Sequence, residues 1–539
     1  MRKQIIVLIA AVALCGGAAA QNGKKNKTAA TVDTTLEAAV QRIDEVMGLI
    51  DKNYVQRANL DKVSEKAVVA MLRELDPHSV YIPAKEVQRA NEGLQGNFEG
   101  VGISFQIVKD TINVMEVIQG GPSEKVGIQM GDKIIAIDGE NATGDTINNS
   151  FVFKRLRGKK GTIVKLDVLR PGSATPMQFT ITRDKVPIYS VDTYFMVDDT
   201  VGYIRLTRFA RTSVNEFRKA HHELTKQGMK CLIFDLRGNG GGFLDIAFGM
   251  ANEFLPARRL IVYTEGLRSE RMNYVSRSGG SFQNGRLVVL IDENSASASE
   301  IVAGALQDWE RATIIGRRSF GKGLVQRMFT LKDGGQVRLT TARYFTPSGR
   351  CIQKPYDNGT DAYHKDLEQR YLRGELINPD SIHMPDSLKF KTVNGRTVYG
   401  GGGIMPDVFI PMDTIRLSDY YMSLRSKGLI NNFTLDWANA HRSDDIAGNY
   451  ALFLQRYDSY NIDKAFAEYA EKNGVTHTAL PADTAEYVLV REKHSNDYLH
   501  LILKAMIAKD LFGTEYYYRI MCDIDEGFKT ALREVRGKK

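Results

Sequence analysis

The chain has 539 residues, too many for one ordinary core, so two to four domains are expected. Hydrophobic residues make up 43% and charged residues 25%, which excludes a largely disordered chain. A formal net charge of +8, with basic residues spread over every segment, argues against a nucleic-acid-binding stripe and allows only weak attraction to anionic surfaces.

Residues 1–20 have a short basic start, an apolar run and an Ala18-x-Ala20 ending, the layout of a secretory signal peptide. The apolar run is shorter than the roughly 20 residues that a spanning helix needs, so export with no stable membrane span is expected; a lipoprotein anchored at Cys15 is the alternative. Cys231, Cys351 and Cys522 would remain, an odd and sparse set that forms no disulfide framework. After a polar leader, residues 34–75 repeat apolar positions every three or four residues, which predicts two helices burying each other's stripes. The leader and this helical segment are assigned to 21–86. His78, in LDPHSVYIP, reads as structural.

Residues 87–187 change to short alternating runs split by glycine turns, as in GVGISFQIV, TINVMEVI, GDKIIAIDG and TIVKLDVLR, which predicts a small, mostly β domain. Gly100, Val101, Gly102 and Ile103, followed by GGPSEKVGIQMGDKIIAIDGE, resemble a PDZ domain, with those four residues in the place of its carboxylate-binding loop. Successive backbone N–H groups among small residues suit a peptide's terminal carboxylate, and the peptide would add a strand beside the next one.

From residue 188 strands and helices alternate, as expected of a sheet covered by helices. DLRGNGGG, residues 235–242, ends a buried strand in a glycine run that allows close backbone approach to a substrate. A phosphate-binding reading lacks the Gly-Lys-Ser or Gly-Lys-Thr that should follow. The run LVVLID then leads into ENSASASE, which sets Ser295, Ser297 and Ser299 at a strand-to-helix junction, the usual place for an acyl-transfer nucleophile. Spacing does not choose among them. Neither His221 nor His222 is placed to serve as base, whereas Lys322 sits in a Gly-Lys-Gly turn, and burial can bring a lysine into the range of a general base. Glu300 opens the following helix, where it suits the helix dipole, and reads as structural.

SASASE followed by FGKGLVQ resembles the signature of the carboxy-terminal processing peptidases, the tail-specific serine proteases. The resemblance implies Ser297 as nucleophile, Lys322 as base and Gln326 as the residue that orients the lysine. DLRGNGGG is similar to that family's D-L-R-x-N-x-G-G segment, which implies an oxyanion hole formed by the N–H groups of Gly241 and Ala298. Here Gly240 stands where the family usually has proline. LDPHSVYIP and GGGIMPDVFIP are similar to segments before the binding domain and at the end of the protease core.

The protease core is assigned to 188–411, with a polar insertion at about 356–400, and a helical C-terminal domain to 412–539, where Tyr516, Tyr517 and Tyr518 read as packing residues. The fold class is multidomain α/β: N-terminal helices, a PDZ-like β domain, an α/β serine-protease core and a helical C-terminal region. The expected function is that of an exported, periplasmic serine endopeptidase with no cofactor and no metal, acting on polypeptides with free C-termini. An adaptor or a homo-oligomer is compatible with it. The alternative is a noncatalytic envelope peptide-binding protein, which has no chemical need for serine, lysine and glutamine together.

Overall fold

The computed structural model describes residues 35–537 except 109, 479 and 482, so the expected signal peptide and Cys15 lie outside the described residues. The chain divides into two units, 1–67 and 68–539. In the first, helix Leu36–Asn53 starts at Thr35, whose hydroxyl accepts the Ala38 N–H at 3.3 Å. Its apolar stripe at Leu36, Val40, Ile43, Val46 and Leu49 stays exposed, and no residue of the helix is buried. The expected mutual burial of the two N-terminal stripes therefore does not occur at this helix. Among the described residues no helix is long and apolar enough to cross a membrane.

The second unit is built round a six-stranded sheet in the order Val191–Met196, Val201–Leu206, Cys231–Asp235, Leu287–Ile291, Thr313–Gly316, Val408–Phe409. The first pair is antiparallel and the others parallel. Alternate side chains divide between two cores, as a pleated strand requires. Leu232, Phe234, Leu287, Val289 and Ile291 face helices Ser213–Lys226, Leu244–Asn252 and Ala298–Asp308. Ile233, Val288, Leu290 and Ile315 face Phe528, Ala531 and Val535 of the last helix, Glu526–Arg536. Burial on both faces explains why these strands read as continuous apolar runs. It also separates the last helix from the expected C-terminal appendage, because this helix forms a layer of the core sheet. Helices between Asp419 and Phe512 instead surround their own core of Tyr421, Phe433, Phe453, Phe466 and Leu503. Tyr516 and Tyr517 pack against that core and Tyr518 against the sheet's second face, as the packing reading expects.

A second, antiparallel sheet has a strand that starts just after Lys322. Its long strand Gln336–Phe345 pairs with Val80–Ile82, Leu260–Gly266 and Leu324–Thr330. The PDZ-like body has a sheet of its own, with Ile103–Val108, Thr111–Val117, Lys133–Ile137, Ile163–Leu169 and Met177–Thr182 in sequence order, over a core that includes Ile112, Val114, Ile134 and Leu166. Strand Asn97–Gly100 pairs antiparallel with Asp184–Pro187, so the chain enters and leaves this body side by side. The boundary expected near residue 87 falls inside helix Ala84–Gln95, and the first β pairing of the body starts at Asn97. The insertion folds into helices Thr360–His364 and Asp366–Leu372 and a hairpin of Lys389–Lys391 with Thr397–Tyr399.

Candidate active site

Strand Leu287–Ile291 ends in a loop that delivers the three serines to the start of helix Ala298–Asp308, and the fold treats them differently. Ser295 is buried, its hydroxyl donating to the Leu236 carbonyl at 2.9 Å. Ser299 is buried too, and its hydroxyl donates to the Asn239 carbonyl at 2.8 Å. Both hydroxyls are backbone fasteners. Ser297 lines an open cavity of about 220 Å³ and adopts φ 54°, ψ −110°, a left-handed φ that a residue with a Cβ rarely takes. Such strain persists only where the surroundings impose it, and it collects at functional sites. The Ser297 N–H donates to Glu300 Oε2 at 2.7 Å.

Lys322 lines the same cavity. It lies just before strand Leu324–Thr330, so Lys322 and Gln326 are related by an extended spacing. A separation of four residues puts two side chains on one face of a strand as it does on a helix. Lys322, Leu324, Gln326 and Met328 accordingly all line the cavity. Lys322 Nζ is 3.2 Å from Gln326 Oε1 and donates to it. Gln326 Nε2 in turn donates to the His78 carbonyl, so the LDPHS segment fixes the glutamine. That segment is tied by Asp76, whose carboxylate accepts the N–H groups of His78 and Ser79 at 2.8 and 2.9 Å. Burial lowers the Lys322 pKa, against the charges of Asp76 and Glu300, which raise it, and with that of Arg338, which lowers it further. Burial also pushes the His78 imidazole down to about 3, helped by Lys322, so this ring is neutral.

Glu300 is the residue whose role the sequence concealed. Fully buried, it accepts the Ser319 hydroxyl at 2.5 Å and the Gly321 N–H at 2.7 Å on Oε1, and the N–H groups of Ser297 and Lys322 at 2.7 and 2.9 Å on Oε2. One carboxyl group thus joins the backbone of the candidate nucleophile to that of the candidate base. Burial raises its pKa to about 7 although these four donors pull it down. A Glu three residues after a Ser at a helix start reads as an ordinary capping pair, and nothing in that pattern announces a second loop. Tyr344 adds a further link, its hydroxyl lying 2.7 Å from the Lys322 carbonyl and 3.1 Å from that of Ser297.

The glycine run approaches from the neighbouring strand. Asp235 closes strand Cys231–Asp235; burial pushes its pKa up, but Arg237 and Arg205 outweigh burial and hold it at about 2. Arg237 is also paired at 2.7 Å with Asp525, the N-cap of the last helix. Gly241 has φ 99°, and a Cβ there would lie 2.7 Å from the Ala296 carbonyl, 2.8 Å from Ser297 Cβ and 2.9 Å from the Ala298 nitrogen. Only glycine fits. The Gly241 N–H donates to Asn239 Oδ1 at 2.9 Å, whereas the Ala298 N–H has no acceptor among the described residues. Of the two donors expected from the sequence, Ala298 is therefore free at the cavity and Gly241 is engaged beside it.

On the PDZ-like body a separate groove of about 390 Å³ runs between strand Ile103–Val108 and helix Asn149–Leu156, with Val101, Gly102 and Ile103 at its end and Phe105, Phe153 and Leu156 along it. Gly100 closes the preceding strand. Arg157, at the groove, pairs with Glu92 of helix Ala84–Gln95. Among the described residues no cluster of side chains is arranged to hold a metal ion.

Three family profiles match the chain: peptidase family S41 over residues 200–361, the PDZ domain over 100–188, and a family of unknown function over 420–513. The chain is 32% identical over 390 residues to a carboxy-terminal-processing protease of Bartonella bacilliformis, covering 72% of this chain and 88% of that protein. It is 31% identical over 369 residues to the carboxy-terminal processing protease CtpB of Bacillus subtilis, covering 66% and 76% respectively. Among solved structures it is similar to a photosystem II D1 C-terminal processing protease, with 26% identity, a TM-score of 0.36, and coverage of 69% of this chain and 93% of that one.

Proposed function

As the chain belongs to the PDZ-containing carboxy-terminal-processing peptidases of family S41, we propose that it is an exported serine endopeptidase that captures polypeptide C-termini and cleaves with Ser297 and Lys322. The observation that carries this reading is the opening of strained Ser297 and half-buried, amine-bearing Lys322 onto one cavity, while Ser295 and Ser299 are tied to backbone.

In the proposed reaction a neutral Lys322 amine takes the Ser297 proton as the oxygen attacks the peptide carbonyl. Lysine in water has a pKa near 10.4, so the lowering by burial is what makes a neutral amine accessible. Gln326 orients the amine without adding a charge. The Ala298 N–H faces the developing oxyanion, and Gly241 is its partner once its amide is shared between Asn239 and substrate. Lys322 then returns the proton to the leaving amine, and water releases the acyl group by the reverse route. The apolar walls Leu324, Ile301 and Met328 give the cavity a preference for an apolar side chain next to the scissile bond. The groove at Val101, Gly102 and Ile103, directly after Gly100, would hold a free terminal carboxylate and let the peptide pair with Ile103–Val108.

Ser297→Ala and Lys322→Ala are each expected to abolish cleavage of an unfolded protein while leaving C-terminal peptide binding within about twofold of wild type. Comparing substrates with free and amidated C-termini tests the PDZ part. Full activity in either variant removes the dyad; equal cleavage of both substrates removes the carboxylate-capture step.

A further inference from the structure

We infer that the insertion at 356–400 is a working part of the proposed active site, with Arg370 as a positioning residue that fixes the backbone carrying the base.

The turn before Lys322 is gripped on both sides. Its amide N–H groups at Gly321 and Lys322 go to Glu300, and that of Phe320 to the Ser295 carbonyl at 3.0 Å. The carbonyls at its start, those of Arg318 and Ser319, face the insertion. Arg370, on helix Asp366–Leu372, is 1% exposed and donates to the carbonyls of Ser319 at 3.0 Å and Arg318 at 2.6 Å. A planar guanidinium with several fixed N–H directions suits two consecutive carbonyls, and a point-charge ammonium does not. Glu375, 3.9 Å from Arg370 and paired with Arg318 and Arg373, holds the cation in place.

Burying an arginine only to brace a surface insertion is costly, since a desolvated charge needs full compensation. Compensation by backbone of the Lys322 turn makes sense if the position of that turn matters. The same insertion supplies Tyr363, whose hydroxyl lies 2.8 Å from His78 Nε2, and the His78 carbonyl receives Gln326. The insertion therefore reaches the base along its backbone and along its orienting amide.

Loss of the Arg370 bonds leaves two buried carbonyls without donors, and the turn must shift or admit water. Either change rehydrates Lys322. The groups facing Lys322 are Asp76 before the first strand of the second sheet, the neutral His78 ring, Glu300 on the nucleophile helix and Arg338 on the long strand. An Arg370 variant keeps all of these groups, so rehydration is the change that Lys322 meets. It favours the charged amine, raises its pKa, and shifts the acidic limb of kcat/KM to higher pH.

The inference rests on the proposed role of Lys322. The experiment is the pH profile of kcat/KM for a short internally quenched peptide, using the full chain with Arg370→Met, Arg370→Lys and, as control, Tyr371→Ala, a half-exposed position on the same helix. Arg370→Met should lower kcat/KM at pH 7 about tenfold or more and move the acidic limb up by about one pH unit, with Arg370→Lys between it and wild type and the control unchanged. If Arg370→Met does not fold, the Arg370→Lys profile decides. An unmoved limb in whichever of the two variants is folded overturns the inference, even if thermal stability falls. Activity retained in Lys322→Ala would instead sink the dyad, whatever the Arg370 profiles show.

Discussion

Two loops meet at the candidate nucleophile, and they are held in opposite ways. The turn at 318–322 is clasped by two buried side chains, Glu300 taking the N–H groups of Gly321 and Lys322 and Arg370 the carbonyls of Arg318 and Ser319. The glycine run at 238–242 is anchored at its beginning, where Arg237 bridges buried Asp235 and part-exposed Asp525, and by Asn239. Beyond that, Gly240 has nothing within 4 Å of where a Cβ would stand. Lys322 acting as a base would need a fixed place and a dry one, since its pKa depends on burial and on its neighbours. An oxyanion donor at Gly241 would need closeness to Ser297 above all, which glycine allows by having no side chain. The first loop is thus specified by partners and the second by absence of atoms.

If that contrast is right, the largest loss comes from adding atoms to the second loop. Gly241→Ala would push a methyl group into the Ala296 carbonyl and the Ala298 nitrogen and impose a left-handed φ on alanine. Its kcat/KM should fall by about 10³-fold, at the upper end for loss of one oxyanion donor, while PDZ peptide binding stays intact. Steady-state kinetics on a short peptide checks this. A loss under tenfold would mean that the run bends away freely and that closeness is not what it provides.

The next effect breaks the first loop at its hub. Glu300→Gln keeps the shape but turns an NH₂ toward two of the four donors, so kcat/KM should drop about 10²-fold and stability by roughly 3 kcal/mol. It also carries a pH signature. The folded Glu300 pKa of about 7 lies above the ordinary carboxyl value, so the native state binds the extra proton between them. The stability from this group is full below about pH 4.5 and is lost as pH rises through about 7. Urea titrations should show the wild type losing stability over that window relative to Glu300→Gln. A constant difference between the two proteins would show that Glu300 is ionised throughout.

The same contrast explains what the sequence disclosed. The sheet was legible because strands buried on both faces are continuous apolar runs, as LVVLI at 287–291 is. The groove was legible because the turns of a PDZ-like body require glycines at set places. Ser297 was separable from Ser295 and Ser299 only by resemblance, since what distinguishes them physically is a backbone angle and two hydrogen bonds to residues about 60 positions away. Lys322 and Gln326 were linked by resemblance, and their spacing of four did not say whether helix or strand carries them, since it serves both alike. Glu300, Arg370 and Asp525 act on loops distant in sequence, and no local pattern encodes such a partner. The last helix was grouped with its helical neighbours because its own amphipathic pattern does not say which core it covers.

The smallest expected effect tests the open end of the second loop. Gly240 stands where the family usually has proline, and its φ is outside the left-handed region that fixes its neighbours Gly241 and Gly242 as glycine. Its N–H has no acceptor among the described residues, so proline would remove no bond there. Gly240→Pro should then change kcat/KM by less than about threefold and raise stability by up to about 1 kcal/mol, through the reduced freedom of the unfolded chain. The critical constraint is on Asn239, because a residue before proline is driven from the helical region and Asn239 must still hold Gly241. A stabilised and active Gly240→Pro would show that the run is a fixed scaffold whose one unfilled position is incidental. A stabilised but inactive variant would show that Gly241 must leave Asn239 during turnover. Mobility would then be the property that sets the glycine run apart from the clamped turn of the lysine.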